Sequence, residues 1–266
     1  MKNKIYFITY GDDNFDIAKK HIIALAKYSG FFEESLSFNR EDLDYEFKNK
    51  YEEILNMPRG GGYWIWKHRI IQNLLKEISE NDLIIYCDAG ASLNFKASKR
   101  FNEYIEMINS SKYGNFRMKC EQQFKEVNYT TKELFNYFKL NTDSEFAKTT
   151  QLQAGHMIFK KNKHSRELLE HYSALLEKDS NLITDYYSSF SQHKKFIENR
   201  HDQSIFSLLS KIYGCELIDN ETEFKHRPSE QYNYPFLSVR TYGHGIRDRV
   251  DFLFNKKKYS KKIVYF

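Results

Sequence analysis

The sequence predicts a single α/β domain with a mostly parallel central sheet flanked by helices. Three observations carry this. Short apolar runs of strand length at residues 4–10, 83–87 and 154–159 alternate with longer segments of helical spacing. The run at 83–87 ends in Asp88-Ala89-Gly90, as a buried parallel strand does when an acid and a glycine turn follow its carboxyl end. No internal repeat, low-complexity tract or Gly/Ser linker divides the 266 residues, so residues 1–266 read as one domain.

The elements follow in order. Residues 4–10 form the first strand, and Gly11-Asp12-Asp13-Asn14 supplies turn chemistry. That turn also cuts short the apolar start, which therefore reads as a strand and not as a signal peptide. Residues 15–27 are helical, 31–38 a second strand, and 41–55 a second helix. Arg59-Gly60-Gly61-Gly62 interrupts the chain. Trp64, His68, Ile71, Leu75 and Ile78 then fall on one helical face. Residues 101–150 are mixed in pattern. A strand at 154–159 and a helix at 165–176 follow. Arg200-His201-Asp202-Gln203 leads into a helix with Ile205, Leu208, Leu209 and Ile212 at i, i+3, i+4 and i+7, for which Asp202 is the expected cap. Residues 215–218 form a short strand.

Composition excludes several classes. With 41% hydrophobic and 17% aromatic residues the chain is not disordered, and 3 Pro exclude a Pro-rich linker or collagen-like chain. No apolar run approaches the ~18–20 residues of a membrane span. Cys87, Cys120 and Cys215 are odd in number and widely spaced, which favours a reducing, cytoplasmic compartment over a disulfide framework. The net charge of +5 suits anionic ligands and does not require nucleic acid. Residues 247–266 carry seven Lys/Arg against two Asp, with aromatics between them. This tail offers a peripheral membrane contact at the cytoplasmic face, or else a solvated basic end.

Four clusters could carry chemistry. Asp88 stands beyond a strand's carboxyl end, where α/β sheets bind ligands, and could hold a hard cation; the plainer reading is a turn-forming Asp. The glycines up to Gly62, between Arg59 and Lys67, could press backbone amides against an anion, or form a hinge before a core helix. Asp202 and Gln203 open a helix whose dipole favours the carboxylate anion, or Asp202 merely caps it. His244 and Arg247, in Thr241-Tyr242-Gly243-His244-Gly245-Ile246-Arg247, combine an imidazole and a guanidinium suited to a metal and a phosphate.

The order of these clusters makes the set specific. Arg-Gly-x-Gly-Tyr-Trp-x-Trp-Lys at 59–67, Tyr-x-Asp-Ala-Gly at 86–90 and His-Asp-Gln-Ser at 201–204 resemble GT-A-type nucleotide-sugar glycosyltransferases. The likeness is strongest to the small bacterial and viral enzymes of polysaccharide or lipopolysaccharide assembly. The resemblance implies a GT-A-like, Rossmann-like fold and transfer from a nucleoside-diphosphate sugar, UDP-sugar favoured, to a hydroxyl of a glycan or glycolipid. It implies Mn²⁺ or Mg²⁺ at Asp88 and His244, and Arg247 at a phosphate. Thr9 and Tyr10 would touch base and ribose, Arg59 and Lys67 the nucleotide, and Gln153 and Gly155 the sugar. Asp202 and Gln203 would lie below the anomeric carbon, as in retaining members. With retention the leaving phosphate can itself take the acceptor proton; with inversion Asp202 is the first candidate base. The sequence departs from the family pattern in having one carboxylate at Asp-Ala-Gly, where two are usual, and His68 where Pro is expected. A sugar-nucleotide pyrophosphorylase is the alternative enzyme, but its post-strand loop is basic and this one, Gly11-Asp12-Asp13, is acidic. A non-catalytic carbohydrate or nucleic-acid binding module is the other alternative, and core packing already accounts for most of the aromatics.

Overall fold

The computed structural model describes residues 3–239. The strands are β1 (Ile5–Tyr10), β2 (Glu34–Phe38), β3 (Leu83–Cys87), β4 (Ser92–Leu93), β5 (Asn115–Met118), β6 (His156–Lys160), β7 (Glu216–Ile218) and β8 (Phe236–Leu237). Six of them form one sheet in the order β2-β1-β3-β6-β5-β7, and β4 pairs with β8. β1 is parallel to β2 and to β3, and β5 is parallel to β7. Only β6 is reversed, lying antiparallel to β3 and β5. The sheet is therefore mostly parallel, as the strand and helix alternation predicts.

Side chains alternate between two packed layers. Ile8, Ile84, Tyr86, Met157 and Phe159 enter the core with the helices Trp66–Glu77, Lys163–Lys178 and Asp202–Tyr213. Phe7, Leu83, Ile85, Cys87, Phe116 and Ile158 enter the opposite core with the helices Asp16–Ser29 and Ser98–Ser110. Each fully buried Ile or Phe contributes roughly 1.5–3 kcal/mol relative to exposure. A one-residue slip would exchange both layers at once, so the register is firmly set.

Several elements differ from the sequence expectation, each for a local reason. The expected helix at 41–55 is two pieces, Tyr45–Lys50 and Glu52–Leu55, separated at Tyr51. Asp44 caps the first piece by accepting from the Phe47 N–H at 3.0 Å. Residues 101–150 hold part of the Ser98–Ser110 helix, then β5 and the short helices Glu126–Tyr129 and Lys132–Tyr137. β5 is hard to read because Arg117 stands in the middle of its four residues. Asp202 does not cap its helix. It is the first helical residue, preceded by His201 at φ 53° and ψ −119°. Thr9 lies inside β1 as expected but is fully buried, so it does not reach a base or ribose. His244, Arg247 and the basic tail lie outside the described residues. Among the described residues no helix is long and apolar enough to cross a membrane.

The glycine stretch is neither a flexible hinge nor an ordinary loop. Gly60, Gly61, Gly62, Tyr63 and Trp64 have φ of 61°, 57°, 94°, 54° and 57°. The Tyr63 N–H donates to the Arg59 carbonyl at 2.7 Å, and the Trp64 N–H to that of Gly60 at 3.3 Å. Bonds of i→i−4 type with positive φ throughout describe one left-handed helical turn. Such a turn is strained for Tyr63 and Trp64, by roughly 1–2 kcal/mol per residue, and unstrained for glycine. The right-handed helix can begin only where the turn ends, at Trp66 rather than at Trp64.

Gly62 has a packing reason as well. A Cβ there would lie 2.7 Å from Leu55 Cα and 2.9 Å from the Ile54 carbonyl oxygen. Gly62→Ala is expected to lower the unfolding free energy by about 3 kcal/mol, from strain and backbone overlap together. Urea unfolding measures this, and a loss below about 0.5 kcal/mol would show that the turn does not need glycine at this position.

Candidate active site

The sheet order reverses between β1 and β3, since the chain leaves β1 for β2 on one side and returns to β3 on the other. Ligands of open α/β sheets bind beyond the carboxyl ends of strands at such a switch point. A cleft of about 600 Å³ opens there, lined by Tyr10, Gly60, Gly61, Asp88, residues 153–156 and residues 198–203 among others. Its volume falls within the range of small-molecule sites, ~300–1,000 Å³.

Lys67 forms the floor. It follows the left-handed turn as the second residue of its helix, and its side chain is 2% exposed. Its ammonium lies 2.6 Å from Asp202 Oδ2, 3.2 Å from Asp88 Oδ1 and 3.2 Å from the Ala154 carbonyl oxygen. The ammonium donates a hydrogen bond to the Ala154 carbonyl and is ion-paired with both carboxylates. Burial works to lower the Lys67 pKa, but the carboxylates of Asp202 and Asp88 outweigh it and the net shift is upward. Asp202 is pushed up to about 6 by its own burial, against the pull of Lys67. Asp88 is the outer member, with its side chain 48% exposed. The Tyr86 hydroxyl, on the same strand face two residues earlier, donates to Asp88 Oδ1 at 2.7 Å. The Asp88 N–H donates to the Gly155 carbonyl at 2.9 Å, which ties the end of β3 to the entry of β6.

The walls are tied to this floor. The Tyr10 ring stacks on Trp66 with centres 3.6 Å apart, and the Trp66 Nε1–H donates to the Gly60 carbonyl at 3.1 Å. The His201 ring lies 4.8 Å from Tyr63 and 5.5 Å from Trp64, so the left-handed turn packs on the residue before Asp202. His201 Nδ1 is 2.7 Å from the Ile183 carbonyl, and burial lowers its pKa to about 4, which leaves the ring neutral. Arg59 pairs with Asp185 and Glu198, both at 3.1 Å. Gln203 donates to Gln151 Oε1 at 2.8 Å, and its own carbonyl oxygen accepts no hydrogen bond among the described residues. Gln153 donates to the Lys119 carbonyl and accepts from Thr222 Oγ1, at 3.1 and 2.9 Å.

The structure thus brings Tyr10, Arg59, Lys67, Asp88, Gln153, Gly155, Asp202 and Gln203 to one cleft. It separates two expected residues from it: Thr9 is buried within β1, and Gly62 packs on Leu55 rather than on a ligand. Lys67 is an internal counter-ion, not an exposed nucleotide contact. Other lining residues escaped the sequence reading: Tyr86, Glu198, Arg200, Glu223 and His156. Tyr86 was within reach of it, because strand alternation puts residue 86 on the face of residue 88. Arg200 was not, since only tertiary packing sets its guanidinium 4.3 Å from the Phe124 ring centre and 4.4 Å from that of Tyr129.

The described residues do not by themselves build a divalent-ion site. Asp88 Oδ1 is engaged by Lys67 and Tyr86, and Oδ2 lies so close to Gly155 that a Cβ there would be 2.9 Å away. Among the described residues no group of three or more His, Cys, Asp or Glu could hold a metal ion. The second expected ligand, His244, lies outside them.

No protein-family model and no curated protein matches the chain. Solved structures with a similar course of chain include a glycosyltransferase involved in the glycosylation of the major capsid of PBCV-1. It is 10% identical, with 94% of this chain and 99% of that one covered and a TM-score of 0.49. Mouse xyloside xylosyltransferase 1 in its apo form is 9% identical, with coverage of 87% and 92% and a TM-score of 0.48. The galactosyltransferase LgtC with donor and acceptor sugar analogs is 10% identical, with coverage of 86% and 83% and a TM-score of 0.40.

Lys67→Met would leave Asp202 buried without its cation. The expected loss is ~3–5 kcal/mol at pH 7.5. The loss should shrink below pH 6, where Asp202 takes a proton and no longer needs a counter-ion. Urea unfolding at pH 5 and pH 7.5 checks this, and a loss independent of pH would show that Lys67 serves packing alone.

Proposed function

We propose that the chain is a glycosyltransferase that moves a sugar from a nucleoside-diphosphate sugar, with UDP-sugar favoured, to a hydroxyl of a glycan or glycolipid. The observation that carries this reading is the convergence of Asp88, Asp202 and Lys67 at the switch-point cleft, with Gln203 beside them. The family resemblance of the motifs at 59–67, 86–90 and 201–204 implies the same reaction.

The donor enters the cleft with its base on the side of Tyr10 and its diphosphate toward the cationic residues. Departure of the diphosphate needs positive charge. Arg59 and Arg200 are the accessible cations of the lining, with side chains 43% and 26% exposed. Arg59 exchanges its carboxylate partners for the diphosphate when the donor binds. The transition state is oxocarbenium-like, and an oxygen with negative charge near C1 stabilises it. Asp202 and the free carbonyl oxygen of Gln203 are the groups for this. We favour retention, because Asp202 is held by Lys67 on the cleft floor rather than presented to an acceptor. The leaving phosphate then receives the acceptor proton. The acidic Asp12 also lines the cleft, which disfavours the triphosphate substrate of a pyrophosphorylase.

A thermal-shift panel of UDP-, GDP-, CMP- and dTDP-sugars, each with and without Mn²⁺, tests the reading. One nucleotide class is expected to raise Tm, and its sugar donor to release free nucleotide when acceptor is added. A chain that binds none of them and releases no nucleotide is not a transferase of this kind. In the active protein, Asp202→Asn should lower kcat by ~10²-fold or more. Because Asp202 titrates at about 6, the wild-type rate should fall as pH drops through 6. An acid limb that survives unchanged in Asp202→Asn would assign it to another group.

A further inference from the structure

Arg117 is the residue whose presence the fold alone does not explain. Its side chain is completely buried, and Nε, Nη1 and Nη2 have no hydrogen-bond partner among the described residues. Its neighbours on β5, Phe116 and Met118, enter the core beneath the Asp16–Ser29 and Ser98–Ser110 helices. Arg117 therefore faces the other layer, where its guanidinium lies 4.9 Å from the Phe206 ring centre. Phe206 stands one helical turn after Asp202, on the same helix face. It also packs on Tyr172, with ring centres 4.7 Å apart, and the buried Tyr172 hydroxyl likewise has no hydrogen-bond partner among the described residues. An unpaired buried guanidinium weakens a fold, and an apolar side chain of similar volume is often the more stable choice. Natural proteins keep such groups where function draws on them.

We propose that Arg117 is a positioning residue for Asp202: from behind Phe206, its guanidinium is the second cation, after Lys67, that keeps the Asp202 carboxylate charged on the cleft floor. The charges around Asp202 make a second cation useful. Lys67 reaches it from the Trp66–Glu77 helix, but that ammonium is shared with Asp88, whose charge opposes that of Asp202. The Tyr86 hydroxyl from β3 and the Tyr172 hydroxyl from the Lys163–Lys178 helix stay protonated, held so by burial first and by the nearby carboxylates. His156 on β6 is pushed down to about 4 by burial and is neutral. Arg117 is pushed down to about 10 by burial and remains charged at neutral pH; Cys215 first and Asp202 second favour its cationic form. The catalytic consequence rests on the reading of Asp202 as the group at the reacting carbon. The electrostatic link to Asp202 does not.

The test is the titration of Asp202 itself, followed by carboxyl ¹³C NMR on aspartate-labelled full-length protein and assigned with Asp202→Asn. Wild type is compared with Arg117→Met, Arg117→Gln and Arg117→Lys. The midpoint should rise by at least one pH unit in the Met and Gln variants and return toward wild type in the Lys variant. The acid limb of kcat/KM should move with it, a loss of about fivefold at pH 6. Tm of Arg117→Met should equal or exceed that of wild type, which a merely structural arginine would not allow. A folded Met or Gln variant with an unmoved Asp202 midpoint overturns the proposal. So does failure of both neutral variants to fold, since that makes Arg117 structural. A midpoint that moves in a protein without transferase activity would instead sink the transferase reading and leave the link intact.

Discussion

The buried ammonium of Lys67 is the contact on which the site depends. It joins three separate stretches of chain: the end of β3 through Asp88, the entry to β6 through the Ala154 carbonyl, and the start of the Asp202–Tyr213 helix through Asp202. None of these groups is stable alone in that place. A lone ammonium, or a lone Asp202 carboxylate, would face a desolvation penalty of several kcal/mol. They are tolerable only together, so the three stretches must arrive in register. This accounts for the failure of Asp202 to cap its own helix, because its carboxylate is already engaged across the cleft.

Delivering Lys67 to that point requires an unusual backbone. The left-handed turn reverses the chain within a few residues and places Trp66 and Lys67 at the mouth of the sheet. Its strain is met by packing, with Tyr10 on Trp66 and His201 against Tyr63 and Trp64. His201 is itself at positive φ. Two strained segments thus support each other across the site, one carrying Lys67 and the other Asp202. Strain of this kind persists only where the surroundings over-determine it. Here the surroundings are an ion triad built on the buried Lys67 and an aromatic wall.

Much of this was legible in the sequence, and the rest has identifiable reasons. The run at 83–87 became β3 with the same bounds, because five consecutive apolar residues and a following Asp-Ala-Gly leave little ambiguity. The gathering of Asp88, Asp202 and Gln203 in one cleft was also expected. The state of Lys67 was not, since no local pattern tells a solvated lysine from one that meets two carboxylates, the second 135 positions away. Gly62 was assigned to a ligand because triple glycine suggests one; the packed Leu55 backbone that excludes a side chain is a tertiary fact. Arg117 was passed over because a single charged residue in a four-residue run argues against a strand, and only burial shows that it belongs there.

The fully buried groups in and beneath the floor differ in what neutral pH can do to them. Burial drives His68 to about 3 and His156 to about 4, so these imidazoles stay neutral. Burial raises Tyr86 and Tyr172 well above the usual phenol range, so these hydroxyls keep their protons. Lys67 moves up and Arg117 only down to about 10, so both remain cations. The same desolvation acts on Asp202, but on a carboxyl it moves the titration toward neutrality, to about 6. Burial therefore holds the imidazoles and phenols neutral and makes Asp202 responsive, while the carboxylates keep Lys67 charged against it. A site meant only to hold the fold together would gain nothing from concentrating its titration on one carboxylate at a cleft floor. Catalytic sites commonly do so, because a group changes the rate most when its pKa lies near the working pH.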